Sequence, residues 1–235
     1  MNSFNILSGG AAQGLVGSLA TKFKTLTGLD IAGEFGAVGA MADRLRHGTP
    51  TDIVILTAAL VTKLADEKLL VPASIANVGL VETALAVRSR DPQVKVTDAA
   101  TLRTAFLAAD AIFVPDTKAS TAGIHVAKIL EQLGIADEVA ARLKIYPNGA
   151  TAMRHMAGSD ATKPIGCTQS TEIISTEGVV LSGSLPHGCE LATMYTAAVT
   201  TQAAHAGEAQ ALIDLLIGAD QQALRMAAGF LGGSK

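Results

Sequence analysis

The chain has 235 residues, 49% of them hydrophobic and 17% charged, so it can bury a sizeable core and does not read as disordered. Its net charge is −3 with no basic run, which argues against nucleic acid as a main partner; with no Trp and 3% aromatic residues it also lacks a stacking platform for bases or sugars. No apolar run approaches the roughly 18 residues that a membrane span needs, and no His, Cys or carboxylate spacing forms a metal ligand set, so neither membrane insertion nor a metal or other cofactor is expected.

In chain order, Phe4 to Leu7 predicts a short strand that enters a small-residue loop, Ser8-Gly9-Gly10-Ala11-Ala12. A helix follows with Leu15, Leu19 and Phe23 at helical spacing. Asp30 to Phe35 reads as a second strand, followed by a loop at Gly36-Ala37-Val38-Gly39 and a helix with Met41 and Leu45 that ends at His47-Gly48. Asp52 to Leu56 is a third strand, apolar after Asp52, and Thr57 to Leu69 is helical. Strands alternating with helices imply βαβ units and a parallel sheet, with the polar loops at the carboxyl ends of the strands, where open α/β sheets bind ligands. The glycines at 33, 36 and 39 lack dinucleotide-fingerprint spacing, and neither a phosphate-binding P-loop nor a serine-hydrolase elbow occurs.

Leu80 to Arg88 and Glu190 to Thr200 are longer continuous segments that enclose a second series. It comprises a helix at Asp98–Ala108, a strand and helix within Ala111–Leu133, a helix near Ala136–Leu143, a strand at Leu143–Tyr146, a helix at Ala150–Ala157 and a strand at Pro164–Cys167. The expectation is two α/β lobes joined by two crossing strands: residues 1–85 with 193–235 as a discontinuous first lobe, and residues 86–192 as an inserted second lobe. Cys167 and Cys189 are compatible with a disulfide or with two free thiols. No coiled-coil pattern or broad apolar face is present, so a monomer is expected.

Within Ala111–Leu133, Pro115 and Asp116 are expected to stop the strand, Ser120 to cap the helix, Val126, Ile129, Leu130 and Leu133 to form its buried face, and Gly134 to follow its end. A free helix start beside Lys118, Thr117, Ser120 and Thr121 suits a small anion, although an ordinary capped connection has the same pattern. Asn148 reads as the cap of the next helix, with Arg154 one turn in, placed either to grip a carboxylate or to lie in solvent. Cys167-Thr168-Gln169-Ser170-Thr171-Glu172 is an unusual polar run after a buried strand; it offers amide and hydroxyl groups to an anion, or simply begins a helix. His125 lies beside the apolar stripe of its helix, as a flanking surface residue, a ligand donor or a general base.

Six stretches together, ILSGGAAQGL, FGAVGAMADRL, TDIVILTAAL, LVETALAVR, STAGIHVAKILEQLGIADEV and ELATMYTAAVT, resemble the substrate-binding proteins of bacterial ABC importers, in particular the molybdate-binding-like, type 2 periplasmic-binding-protein group. The resemblance covers nearly the whole chain. It implies a two-lobe fold with two hinge strands and an anion held in the cleft between lobes, then passed to an ABC permease. The first-loop serine of that group is matched by Ser8, whereas its second-loop serines are replaced by Gly36, Ala37 and Gly39, and its late tyrosine by Gln169-Ser170-Thr171. An organic di- or tricarboxylate is therefore expected in place of molybdate, contacted by Ser8, Gly9, Gln13, Gly36, Ala37, Val38, Lys118, Ser120, Thr121, Asn148, Arg154, Gln169, Ser170 and Thr171. The same group resembles bacterial aconitate isomerases, which leaves an enzymatic alternative open: cofactor-independent trans/cis-aconitate interconversion, with His125 or Glu172 moving an allylic proton. MNSFNILSGG has no leader pattern, so the expected location is the periplasm if a signal has been removed and the cytoplasm otherwise.

Overall fold

In a computed structural model of the chain, which describes residues 3–232, the backbone forms two compact units, Met1–Val81 with Thr193–Lys235 and Glu82–Ala192. The first unit's opening segment thus runs to Val81, where the sequence reading draws it to residue 85. Residues 1–2 and 233–235, the outer ends of the expected first lobe, lie outside the described residues.

The first unit begins with β1 (Ser3–Gly9), α1 (Gln13–Thr27), β2 (Asp30–Gly36), α2 (Val38–Arg46), β3 (Ile53–Thr57), α3 (Ala58–Asp66) and β4 (Ala76–Arg88), whose first half belongs to this unit. Leu15, Leu19 and Phe23 lie on the buried face of α1, and the Phe23 ring packs 4.8 Å from that of Phe4 on β1. Gly28 ends the helix at φ +75°, the left-handed conformation that glycine adopts without strain. β1 runs parallel to β2 and β3, and Ile53 to Leu56 of β3 are fully buried, as a central strand requires. β2 lies at the edge of the sheet, and its exposed Asp30 and Glu34 pair with Lys24 and Arg44; charge on an edge strand discourages further pairing. The helix expected over Thr57–Leu69 ends at Asp66, and the small-residue loop after β2 is shorter than expected because α2 already starts at Val38.

In the second unit, the latter half of β4 is followed by α4 (Ala99–Ala108), β5 (Ala111–Pro115), α5 (Thr121–Gln132), α6 (Ala136–Val139), β6 (Leu143–Tyr146), α7 (Gly149–Ala157), β7 (Pro164–Gln169), α8 (Ser170–Ile174) and β8 (Val179–Ser184). Its strand order is β8–β4–β7–β5–β6, with β5 parallel to β6 and β7, and β4 antiparallel to β7 and β8. Alternation along the strands builds two cores. Leu85, Ile112, Val114, Ile165 and Cys167 join Leu102, Phe106, Val126 and Ile129 of α4 and α5 on one face. Ala84, Ala86, Ala111 and Phe113 join Met153, Met156 and Ile173 of α7 and α8 on the other. The sequence reading omits β8, and it ends two strands early: Pro115 is the last residue of β5, and β7 continues through Thr168 and Gln169.

The chain returns to the first unit through β9 (Ala192–Val199), antiparallel to β3, and ends in α9 (Ala206–Ile217) and α10 (Gln222–Ala227). The first unit's sheet therefore has the order β2–β1–β3–β9–β4. Cys167 and Cys189 are both buried and both free thiols, and burial pushes the Cys167 thiol up to about 12.

Candidate functional site

The pleat decides the fate of the polar run at the end of β7. Thr168 faces the α7 side, and Gln169, one residue on, faces the α5 side with Cys167 and Ile165. Thr168 donates from Oγ1 to Glu172 Oε2 at 2.6 Å. The Glu172 carboxylate, 4% exposed, also accepts from the Gly149 amide at 3.2 Å and from the backbone amides of Ala150 and Gln169. The Glu172 carboxyl is thus seated on the first turn of α7. Asn148 caps that turn from outside, its Oδ1 accepting from the Thr151 amide at 2.8 Å. Asn148 is thus the cap that the sequence suggests, and it and Glu172 together take up the amides of the first turn of α7. Burial pushes the Glu172 carboxyl above its ordinary value, against the pull of the four donors.

Gln169 has the opposite environment. It is 3% exposed, yet neither Oε1 nor Nε2 has a partner among the described residues. The Oγ1 atoms of Thr171 and Thr83 are likewise buried and unpartnered. Thr83 on β4 stands directly opposite Gln169 on β7, so the two side chains share a face of the sheet. Buried polar groups are nearly always satisfied, and Gln169, Thr83 and Thr171 are exceptions among the described residues. Ser170, 7% exposed, lies between Gln169 and Thr171. Thr83 is absent from the sequence reading because a threonine in an apolar run is also an ordinary strand former, and nothing in LVETALAVR separates the two roles.

On the α5 side, Ser120 holds the N-cap position, but its side chain makes no capping bond. Asp116 Oδ1 instead accepts from the amides of Lys118 and Ala119 and shapes the loop. Gly123 lets α5 approach the end of β5, since a Cβ there would stand 2.1 Å from the Asp116 carbonyl oxygen. Lys118 is exposed and makes no ion pair among the described residues; Thr121 is half-buried. His125 donates from Nε2 to the Cys189 carbonyl at 2.9 Å, so its ring ties α5 to the segment before β9. Arg154 is exposed and donates to Thr151 Oγ1 on its own helix at 2.9 Å, which places it on the outer face of α7, away from the face occupied by Met153 and Met156.

In the first unit, Ser8 is fully buried and donates from Oγ to the Gly9 carbonyl at 2.9 Å. Gly9 lies against Val38 and the Tyr195 ring of β9, close enough that a Cβ would fall within 2.7–2.8 Å of both. Gln13 opens α1 on the surface, while Gly36 and Ala37 lead half-buried into α2, at the same carboxyl ends of β1 and β2. Tyr195 and Thr193, whose Oγ1 is buried and unpartnered among the described residues, were not expected from the sequence.

A separate pocket of about 390 Å³ lies in the second unit, lined by Val87, Pro92, Val94, Ala105, Pro164 and Ile165 among others. It sits at the start of β7, roughly 16 Å from Gln169 at the far end of that strand, and its apolar lining offers an anion few donors. Among the described residues no group of three or more His, Cys, Asp or Glu is placed to hold a metal ion, and no helix is long and apolar enough to cross a membrane.

A family model described as bacterial extracellular solute-binding protein matches residues 4–231, and the chain belongs to that family. It is 24% identical over 231 residues to an aconitate isomerase from a Pseudomonas species, covering 94% of this chain and 84% of that protein. Among solved structures it is similar to the periplasmic molybdate-binding protein of Azotobacter vinelandii, with a TM-score of 0.79 and 18% identity, covering 99% of this chain and 100% of that one. It is also similar to the sulfate-binding protein of Mycobacterium tuberculosis H37Rv, with a TM-score of 0.73 and 17% identity, covering 98% and 86% of the two chains. The fold is the α/β fold of these periplasmic binding proteins.

Proposed function

We propose that this chain is a substrate-binding protein that captures a small organic carboxylate, rather than molybdate, in the periplasm and delivers it to an ABC permease. The observation that carries the reading is the group of unpartnered buried side chains of Gln169, Thr171 and Thr83. Within the second unit the reading also draws on the amides at the start of α5, Ser170 and the exposed charge of Lys118; within the first unit, taken by itself, the candidates are Ser8, Gly9, Gln13 and the Gly36-Ala37-Val38 turn. Neutral donors and helix starts are how a protein binds an anion reversibly without burying opposing full charges. A ligand that binds only the folded chain stabilises it by mass action. The test is therefore thermal unfolding with succinate, citrate, the aconitates, molybdate and sulfate in turn, followed by calorimetry. A raised midpoint with a carboxylate but not with the tetrahedral oxyanions supports the proposal, and the reverse pattern removes the carboxylate assignment.

The aconitate isomerase relative keeps a second reading in play. Against it stand the engagements of both candidate bases: His125 Nε2 is bound to the Cys189 carbonyl, and Glu172 is saturated by four donors. Incubation with trans-aconitate and assay for the cis isomer decides between the two.

A further inference from the structure

We infer that the ligand carries a hydroxyl group next to its carboxylate, that is, a 2-hydroxycarboxylate, and that Gln169 is the residue that reads the hydroxyl; the inference rests on the carboxylate-binding reading above. A carboxamide has two ends of opposite character, a carbonyl that accepts and an NH2 that donates. At Gln169 both ends are buried and unpartnered, so exchanging the two in the amide leaves the conclusion unchanged. A tetrahedral oxyanion or a plain ionised carboxylate offers acceptors only. It satisfies Nε2 and leaves Oε1 facing oxygen lone pairs in a buried site, where an unmet or opposed polar group is most costly. An ionised 2-hydroxy acid meets both ends at once: its carboxylate accepts from Nε2, and its adjacent O–H donates to Oε1. The hydroxyls of Thr83, directly across the sheet, and of Thr171 rotate freely and donate to the remaining carboxylate oxygens. Sites built to hydrogen-bond a substrate hydroxyl discriminate strongly against the analogue that lacks it, because the partner is then left buried and unpaired.

The experiment is calorimetric titration of the full chain with matched pairs that differ by one hydroxyl: malate against succinate, citrate against tricarballylate, and lactate against propionate. The hydroxy member of at least one pair is expected to bind tenfold or more tighter than its partner. In Gln169→Met, which keeps the length of the side chain and loses both polar ends, the two members are expected to fall within threefold of each other. Thr83→Val provides a second variant that weakens both members of a pair alike without erasing the preference. Circular dichroism and the thermal midpoint confirm that each variant is folded. Equal or tighter binding of the deoxy acids by the parent overturns this inference and leaves the carboxylate-binding reading intact. A preference that survives in Gln169→Met overturns the role given to that residue. Binding of molybdate or sulfate with no binding of any acid overturns both.

Discussion

Gly149 and Glu172 meet with no space for a methyl group between them. The Gly149 amide donates to Oε1 at 3.2 Å, and a Cβ on Gly149 would stand 2.0 Å from Oε2 of the same carboxylate and 2.0 Å from Thr168 Oγ1. Gly149 is therefore required by the close approach of a side chain from α8. Gly149→Ala should lower stability by about 1–3 kcal/mol, the usual cost of overpacking a filled interior. Urea unfolding would show this as a lower midpoint with an unchanged slope.

The same carboxylate makes stability depend on pH. Burial raises the Glu172 carboxyl above its ordinary value, so the native state holds that proton more tightly than the unfolded chain does. Its contribution is fully present below the unfolded value, about 4.3, and is lost as the pH rises through the higher native one. Glu172→Gln should remove that falling component. Because the amide NH2 would then confront backbone donors, the variant should also be less stable at neutral pH by about 1–3 kcal/mol. Urea midpoints for the parent and the variant from about pH 4 to about pH 8 test both statements; parallel curves would show that Glu172 titrates alike in the two states.

Asp52 fastens the first unit in a comparable way. It is 1% exposed, with Oδ2 accepting from the Asn5 amide at 2.8 Å and Oδ1 from the His205 amide at 2.9 Å, which joins β1 to the start of α9. Asp52→Ala leaves two half-buried amides without their acceptor and should cost about 1–3 kcal/mol. The folded fraction should bind ligand as the parent does, since neither partner belongs to the proposed site.

The exposed cations separate the sequence reading from the structural one. Sequence places Lys118 and Arg154 as equal partners for a carboxylate. The structure leaves Lys118 exposed on the loop before α5 and turns Arg154 outward onto Thr151. Lys118→Ala should weaken ligand binding about threefold to tenfold, roughly 0.7–1.4 kcal/mol, with an effect that fades as salt is added. Arg154→Ala should change affinity less than about twofold, roughly 0.4 kcal/mol. A large loss in Arg154→Ala at every salt concentration would return that residue to the site.

The strand–helix alternation was legible because periodicity survives in a single sequence: Leu15, Leu19 and Phe23, or Val126, Ile129 and Leu130, mark a buried face without any partner being known. Asn148 as a cap and Gly134 past the end of α5 were legible for the same local reason. The polar run 167–172 was visible as a feature, but its division was not. Whether Thr168 or Gln169 is satisfied depends on which face each takes, and that follows from the register of β7 against β4 and from α7 lying beneath one face. Thr83 and Tyr195 were invisible for the complementary reason: both are good strand formers, and only long-range pairing shows what they stand beside.

The unpartnered hydroxyls permit a test in which stability and binding move in opposite directions. A buried hydroxyl without a partner bears its desolvation cost and gains nothing from the fold, so replacing it with an apolar group of the same shape should be neutral or stabilising. Thr171→Val and Thr83→Val should each leave the ligand-free protein as stable as the parent or more stable, by up to about 1 kcal/mol. The same substitutions remove a donor from the proposed site and should weaken ligand binding about tenfold, roughly 1.4 kcal/mol. Thr196 supplies the contrast within the same fold. It is 1% exposed, and its Oγ1 donates to Asn77 Oδ1 at 2.9 Å, so Thr196→Val should lower stability by about 1 kcal/mol and leave binding unchanged. Urea unfolding of the three variants without ligand, followed by titration of each with the best-binding acid, measures both axes. If Thr171→Val and Thr83→Val are destabilised as much as Thr196→Val and bind as the parent does, those hydroxyls have partners within the protein and the site lies elsewhere.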